Sequence, residues 1–400
     1  MSKTCAQPAA TTRSAQPDSS GAWYPGLDGV RGVAVGLVFM VHFLQKWGNI
    51  GWMGVLIFFV LSGFLITGVL YDGRNEIHRF RNFYVRRTLR IFPLFYFIWL
   101  LVLVGAFFLQ EQWRPMLLLW PVYLGNFARF FAGTSAVDHI YTGIPWFPIE
   151  IGHFWSLAVE EQFYLLWPLV VFSVSDRKVL IRICSIAVVA VLLFRICIVP
   201  VVPHSFLEMG FFYRMTFTQA DAFLFGGLIA LMLRGPRKAA ILRLGPPLFW
   251  SALVALALVA WLNGPGPHLS KVVPESPWMS GYGFTFVDFV AGGMILSALR
   301  PGNLLFRVLT LQPLRVLGRY SYGFYVYHVL LLPLRPLYLW GSWSTPIIVV
   351  HFCIDFLIVL AVSAASYHFL EMPFLRMKRR FTVHGNRPVP LDGDCVDARA

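Results

Sequence analysis

Long apolar runs separated by short polar stretches set the pattern of this chain. Runs of spanning length occupy 30–47, 52–70, 92–110, 156–173, 181–201, 217–233, 247–263, 282–299, 317–338 and 346–369. A helix that crosses a bilayer needs about 20 mostly apolar residues, so each run predicts one transmembrane helix. A further stretch, 116–131, is apolar but broken by Pro121, Gly125 and Asn126.

Whether that stretch spans decides the topology, and the distribution of basic residues arbitrates, because cytoplasmic loops collect Lys and Arg. If 116–131 does not span and the N-terminus is cytoplasmic, the clusters Arg74–Arg90, Arg177–Arg182, Arg234–Arg243, Arg300–Arg319 and Arg376–Arg380 all fall inside. Outside are only the scattered Lys46, Arg114, Arg129, Arg214, Lys271 and Arg335. Letting it span would invert every later loop and push the clusters at 177–182, 234–243 and 300–319 outside. The expected fold is therefore all-α: a polytopic bundle of about ten transmembrane helices, N-in and C-in. Residues 111–155 form an external or re-entrant segment, tolerated at membrane depth only where protein or water covers the backbone.

Composition agrees. The 400 residues are 58% apolar and 13% charged, where a soluble domain carries about a quarter charged. The net charge of +14 does not mark a nucleic-acid partner, because the bases sit in short clusters between apolar runs. The five cysteines are dispersed and lack metal-ligand spacing, so neither a disulfide framework nor a metal is expected. Residues 1–25 read as a disordered cytoplasmic N-terminus, 26–376 as the membrane domain, and 377–400 as a basic, then polar, cytoplasmic tail. The first apolar run lacks a cleavage site and is soon followed by a second, so it reads as a retained helix.

Several polar residues interrupt these runs. The first helix opens Leu27-Asp28-Gly29-Val30-Arg31-Gly32, with Asp28 placed to cap it. Arg31 lies near the positive end of the helix dipole, where a cation needs the cytoplasmic surface, Asp28 or a bound anion to offset it. His42 lies eleven residues on, roughly 16 Å deeper. An imidazole there is a functional candidate, with a hydrogen bond to a neighbouring helix as the competing reading. Gly29, Gly32 and Gly36 read as close-packing positions.

In the cytoplasmic loop before the third run, Arg87 and Arg90 would share a face on a helical turn, and Arg86 reaches Arg90 at spacing four. Forked guanidiniums on one face suit a phosphate or pyrophosphate; an ordinary positive-inside anchor reads the same spacing. In the fourth run Glu160, Tyr164 and Trp167 form one stripe. Glu160 and His42 both fall in outer helix halves, so a carboxylate–imidazole pair is allowed, with the carboxylate orienting the base. Ser321, Tyr325 and His328 form a second stripe, which could line a cavity or lock helices together. Glu371, closing the last helix on the cytoplasmic side, could pair with a nearby arginine in a structural role. Asp221, Asp288, Asp355 and Arg195 are embedded charges for which the sequence names no partner.

Six blocks, LDGVRGVAVGLVFMVHF (27–43), GVLIFFVLSGFLIT (54–67), FYVRRTLRIFP (83–93), FWSLAVEEQFYLLWP (154–168), SYGFYVYH (321–328) and FLEMPF (369–374), together resemble the acyltransferase-3 family of integral membrane O-acyltransferases. They stand in the family order and cover about 25–380. The resemblance implies a cytosolic acyl-CoA donor, usually acetyl-CoA, and a hydroxyl of an extracytoplasmic carbohydrate as acceptor. It implies donor handling by Arg31, Arg87 and Arg90, and chemistry by His42 with Glu160. Tyr164, Ser321, Tyr325 and His328 are expected to contact substrate.

The implied setting is the cell inner membrane, with the bilayer, the carbohydrate and acyl-CoA as partners and room for a soluble periplasmic one. Leu56 stands where many members carry Asp. The C-terminal hydrolase-like domain of some relatives is not expected. A multi-helix transporter of a small organic anion or glycan precursor explains the bundle but not the six blocks.

Overall fold

The computed structural model describes residues 24–44, 49–108, 118–132, 139–140, 149–263, 272–331 and 345–381. Residues 1–23, the tail after Phe381, the far part of the ninth run and much of 111–155 lie outside them. The main helices are α1 (Pro25–Phe43), α2 (Met53–Asp72), α3 (Arg79–Phe108), α4 (Gly125–Ala132), α5 (Trp155–Ser173) and α6 (Arg177–Ile198). They continue with α7 (Ala220–Met232), α8 (Gly245–Asn263), α9 (Phe284–Ala298), α10 (Gln312–Arg319), α11 (Ser321–Leu330) and α12 (Thr345–Ser366). A two-residue antiparallel pairing, His139–Ile140 with Ile149–Glu150, is the strand content among the described residues. Seven described helices are long and apolar enough to cross a membrane. The molecule is an all-α polytopic membrane bundle.

Its centre is α1, α2, α7 and α9, and close backbone approach explains their small residues. On α2, a Cβ at Gly63 would lie 1.9 Å from the Phe223 carbonyl oxygen. On α7, a Cβ at Gly226 would lie 1.9 Å from that of Val60. Each glycine thus admits the other helix's backbone, the usual device where lipid gives no hydrophobic drive to pack helices. Gly29 and Gly32 likewise admit the Leu309 and Leu314 carbonyls, so α10 and the short helix Leu304–Leu309 press onto α1. Gly36 meets only a leucine methyl at an ordinary 3.8 Å. The rim carries apolar side chains outward: Ile186 and Leu193 on α6, Leu165 and Leu166 on α5, Leu357 on α12.

Three expectations change. Helix α1 starts at Pro25 with Tyr24 as its cap residue, so Asp28 lies inside the first turn and not at the cap. Helix α3 starts at Arg79, well ahead of the apolar run at 92, so the arginine segment is helix and not loop; Pro93 sits inside it. The ninth run is not one rod: it breaks at Tyr320 between α10 and α11. Helix α4, at eight residues, is roughly 12 Å long and too short to span, as expected for that stretch.

Two of the embedded charges, Arg195 and Asp221, find each other. Arg195 on α6 is fully buried and grips Asp221 at the start of α7 with two bonds, Nη1–Oδ1 2.9 Å and Nη2–Oδ2 2.5 Å. It also donates to the Thr218 carbonyl at 2.8 Å, to Thr285 Oγ1 at 2.8 Å and to the Gly281 carbonyl at 3.4 Å. One side chain thereby ties α6, α7 and α9 together.

Candidate active site

One end of the bundle is built from cations. Arg31 donates to Asp28 Oδ1 at 2.7 Å, so the carboxylate that does not cap α1 offsets Arg31 instead. Because α3 is helical from Arg79, Arg87 and Arg90 do share a face. The Arg87 guanidinium lies 4.7 Å from the ring centre of Tyr164 on α5, a cation–π contact. Arg90 is the hub: Arg31, Arg87, Glu160, Glu371 and Lys378 all lie within its electrostatic reach. Arg86 points elsewhere, 4.0 Å from Glu76.

Lys378 arrives from the turn Lys378–Phe381, which packs on α3. Burial first, then Arg90, Arg87, Arg86 and Arg31, pull its ammonium down to about 7. Among the described residues, neither Arg87 nor Arg90 has a hydrogen-bond or ion-pair partner. Guanidinium donors of this kind suit a phosphate-bearing ligand.

Farther along α5, Glu160 accepts from Ser62 Oγ of α2 at 3.2 Å, and the Tyr164 hydroxyl donates to it at 3.0 Å. One turn on, Trp167 donates to Thr67 Oγ1 at 2.8 Å. The predicted stripe is therefore the face α5 turns to α2, with Leu165, Leu166 and Leu169 on its outward side. The Oε1 of Glu161 is buried and without a hydrogen-bond partner.

At the other end, His42 lies near the last turn of α1, its Nδ1 donating to the Val38 carbonyl at 2.9 Å. Its ring meets that of His328 at 4.9 Å between centres, and His328 meets His153 at 5.2 Å. Tyr325 donates to the His153 carbonyl at 2.7 Å and shares a short hydrogen bond with Ser156. Within the second stripe, Tyr325 locks α11 to α5, and His328 meets His42. Ser321 is buried at the start of α11.

The arrangement brings Arg31, Arg87, Arg90, Tyr164 and Glu160 into one group and His42, Tyr325 and His328 into another. Among the described contacts, Glu160 belongs with Ser62, Tyr164 and the arginines, while His42 belongs with His328. Sequence reasoning passed over Ser62, His153, Ser156 and Lys378. For Ser62 and His153 the available signal was a polar residue within or beside a strongly apolar block.

Fold and site together define a polytopic membrane protein of the acyltransferase domain family, and the chain belongs to it: the family model matches residues 24–368. YrhL of Bacillus subtilis is 29% identical over 384 residues, covering 90% of this chain and 57% of its own length. The peptidoglycan O-acetyltransferase OatA of Listeria monocytogenes is 28% identical over 368 residues, 88% of this chain and 56% of its own. The O-acetyltransferase OatA of Staphylococcus aureus is 27% identical, with 88% and 57% covered. The chain thus spans little more than half the length of these curated relatives. No solved structure matches.

Proposed function

We propose that this protein moves an acyl group, acetyl first among candidates, from cytosolic acyl-CoA to a hydroxyl of an extracytoplasmic carbohydrate. Peptidoglycan is the first acceptor to test, since the Listeria relative carries that substrate in its name. The reading places the chain in the cell inner membrane with both termini inside, so that the Arg31–Arg87–Arg90 end faces the cytosol. The observation that carries it is the Arg87–Arg90 pair, whose guanidiniums make no hydrogen bond or ion pair among the described residues, at one end of α1's surroundings, with an imidazole cluster at the other.

Arg87 and Arg90, with Arg31 beside them, hold the anionic coenzyme by charge-assisted hydrogen bonds. Lys378 adds a further cation. The acyl carbon is delivered toward His42, whose Nδ1 is tied to the Val38 carbonyl. That bond leaves Nε2 as the basic nitrogen of the neutral ring, set to take the proton of the attacking hydroxyl. As that oxygen bonds the acyl carbon, the carbon–sulfur bond breaks and the coenzyme leaves as a thiolate, protonated by water. Glu160 is one layer nearer the arginines, where it orients Tyr164 and balances their charge. Tyr164, Ser321, Tyr325 and His328 line the path for the substrates.

The test is mass spectrometry of envelope glycans from cells with the gene, without it, and with His42→Ala at matched protein levels. The proposal expects an acetyl-sized increment that disappears in the second and third. A glycan profile unchanged by deletion would end it, and an unchanged profile with His42→Ala would remove that residue from the mechanism. Acyl-CoA consumption by the purified protein separates this reading from a transporter, which consumes none.

A further inference from the structure

The segment Arg300–Arg319, which follows α9, carries four arginines and no aspartate or glutamate. Its backbone is firmly held. Gly302 turns the chain in the left-handed region at φ 90°, which glycine adopts without strain. Asn303 then caps the short helix Leu304–Leu309: its Oδ1 accepts from the Phe306 amide at 2.8 Å, and its side-chain amide donates to the Ser297 carbonyl at 3.1 Å. Thr310 closes that helix by donating to the Phe306 carbonyl at 2.8 Å, and α10 follows after Leu311.

The inner side of this helical pair is occupied. The Leu309 and Leu314 carbonyls press on Gly29 and Gly32 of α1, Gly318 admits the Asp28 carbonyl, and Leu309 and Leu317 are buried. The outer side is mixed in character. Leu304 and Val308, one turn apart, are exposed with Arg307 beside them. Leu311, Val316 and Arg319 are exposed along α10 and the residue before it, and Arg300 is exposed at the turn. Apolar side chains and guanidiniums on one outward face suit neither water nor a hydrocarbon interior. They suit the boundary, where leucine and valine enter the acyl region and arginine reaches the headgroups.

We propose that the helical pair Leu304–Arg319 is a docking surface for anionic phospholipid headgroups, with Arg300, Arg307 and Arg319 on the phosphates. Charge complementarity selects that occupant, because the segment holds no acidic side chain and a phosphodiester offers the acceptors a guanidinium fork matches. The exposed leucines and valines select a lipid over free phosphate, since only a lipid covers both kinds of side chain. The opposite side of the pair is seated on the first turns of α1, so bound headgroups also pin the end of the bundle that carries Arg31. This surface stands apart from the acyl-transfer reading and would serve a transporter equally.

The test uses the full chain purified in a neutral detergent, with phosphatidylglycerol, phosphatidylcholine or inorganic phosphate added. Bound lipid is counted by native mass spectrometry, and melting is followed in parallel. Phosphatidylglycerol is expected to be retained over phosphatidylcholine and to raise the melting temperature, and inorganic phosphate to leave melting unchanged. The triple variant Arg300→Gln, Arg307→Gln, Arg319→Gln is expected to bind phosphatidylglycerol at least about tenfold more weakly, the scale set by three basic residues at a membrane surface. Without lipid it should melt like the wild type.

Arg182→Gln, Arg237→Gln, Arg243→Gln removes the same charge from three exposed arginines of other loops and helices, and is expected to weaken binding by less than about threefold. Lysine at positions 300, 307 and 319 keeps the charge without the fork and should restore most of the binding. Unchanged phosphatidylglycerol binding in the first glutamine triple, equal loss in both glutamine triples, or the same melting gain from inorganic phosphate overturns the proposal.

Discussion

Arg195 and the Arg87–Arg90 pair are arginines in the same membrane bundle, and the two regions spend their donors in opposite ways. Arg195 is fully buried and places five hydrogen bonds on Asp221, Thr218, Thr285 and Gly281. Nothing is left over for a ligand. Arg87 and Arg90 are less deeply covered, crowd against Arg31 and Lys378, and carry no such bonds among the described residues. On the acyl-transfer reading, saturation of the guanidinium is what separates the structural arginine from the ligand-binding pair.

The largest effect should come from breaking the saturated region. Arg195→Met or Asp221→Leu alone strands a buried charge, which costs about 3–5 kcal/mol; both variants should fail to accumulate in membranes, read by immunoblot and by melting in detergent. Combining them removes both charges, and the double variant should recover most of the lost protein. If the double is as poor as either single, the pair is not the source of the cost.

Arg87→Ala with Arg90→Ala should do the reverse. The fold stays within a degree or two of wild-type melting, while KM for acetyl-CoA rises about 10- to 100-fold, as expected for lost bonds to a charged ligand. Conversion of each to lysine should give a smaller rise, since the fork is lost and the charge kept. An intermediate loss of stability is expected at Gly63→Ala, where the new Cβ would sit 1.9 Å from the Phe223 carbonyl oxygen. Separating α2 from α7 to admit it costs about 1–3 kcal/mol and leaves KM for acetyl-CoA alone. Leu165→Ala, on the outward face of α5, should change melting by no more than about 0.5 kcal/mol.

The sequence carried the bundle well, because apolar length and the placement of bases are local signals. The first arginine site was legible for the same reason: Arg87 and Arg90 are three residues apart, and spacing alone puts them on one helical face. Boundaries were lost where polar residues stay helical under tertiary cover. Helix α3 extends back to Arg79 and is packed by the turn Lys378–Phe381, a contact that no window of sequence near 80 reports.

The partners of Arg195 were invisible because Asp221 and Thr285 lie 26 and 90 positions away, on other helices. Glu160 was placed in the correct stripe, but its height relative to His42 depends on how α5 slides against α1. That slide is fixed by contacts such as Ser62 with Glu160 and Tyr325 with Ser156.

Equilibrium binding of coenzyme A to purified protein tests the contrast most directly, measured for wild type and for the Arg87→Ala, Arg90→Ala double variant at equal folded fraction. The account predicts affinity at least about tenfold weaker in the variant with an unchanged melting profile. Wild-type affinity in that variant would contradict it, since the Arg87 and Arg90 guanidiniums would then not be where the coenzyme is held.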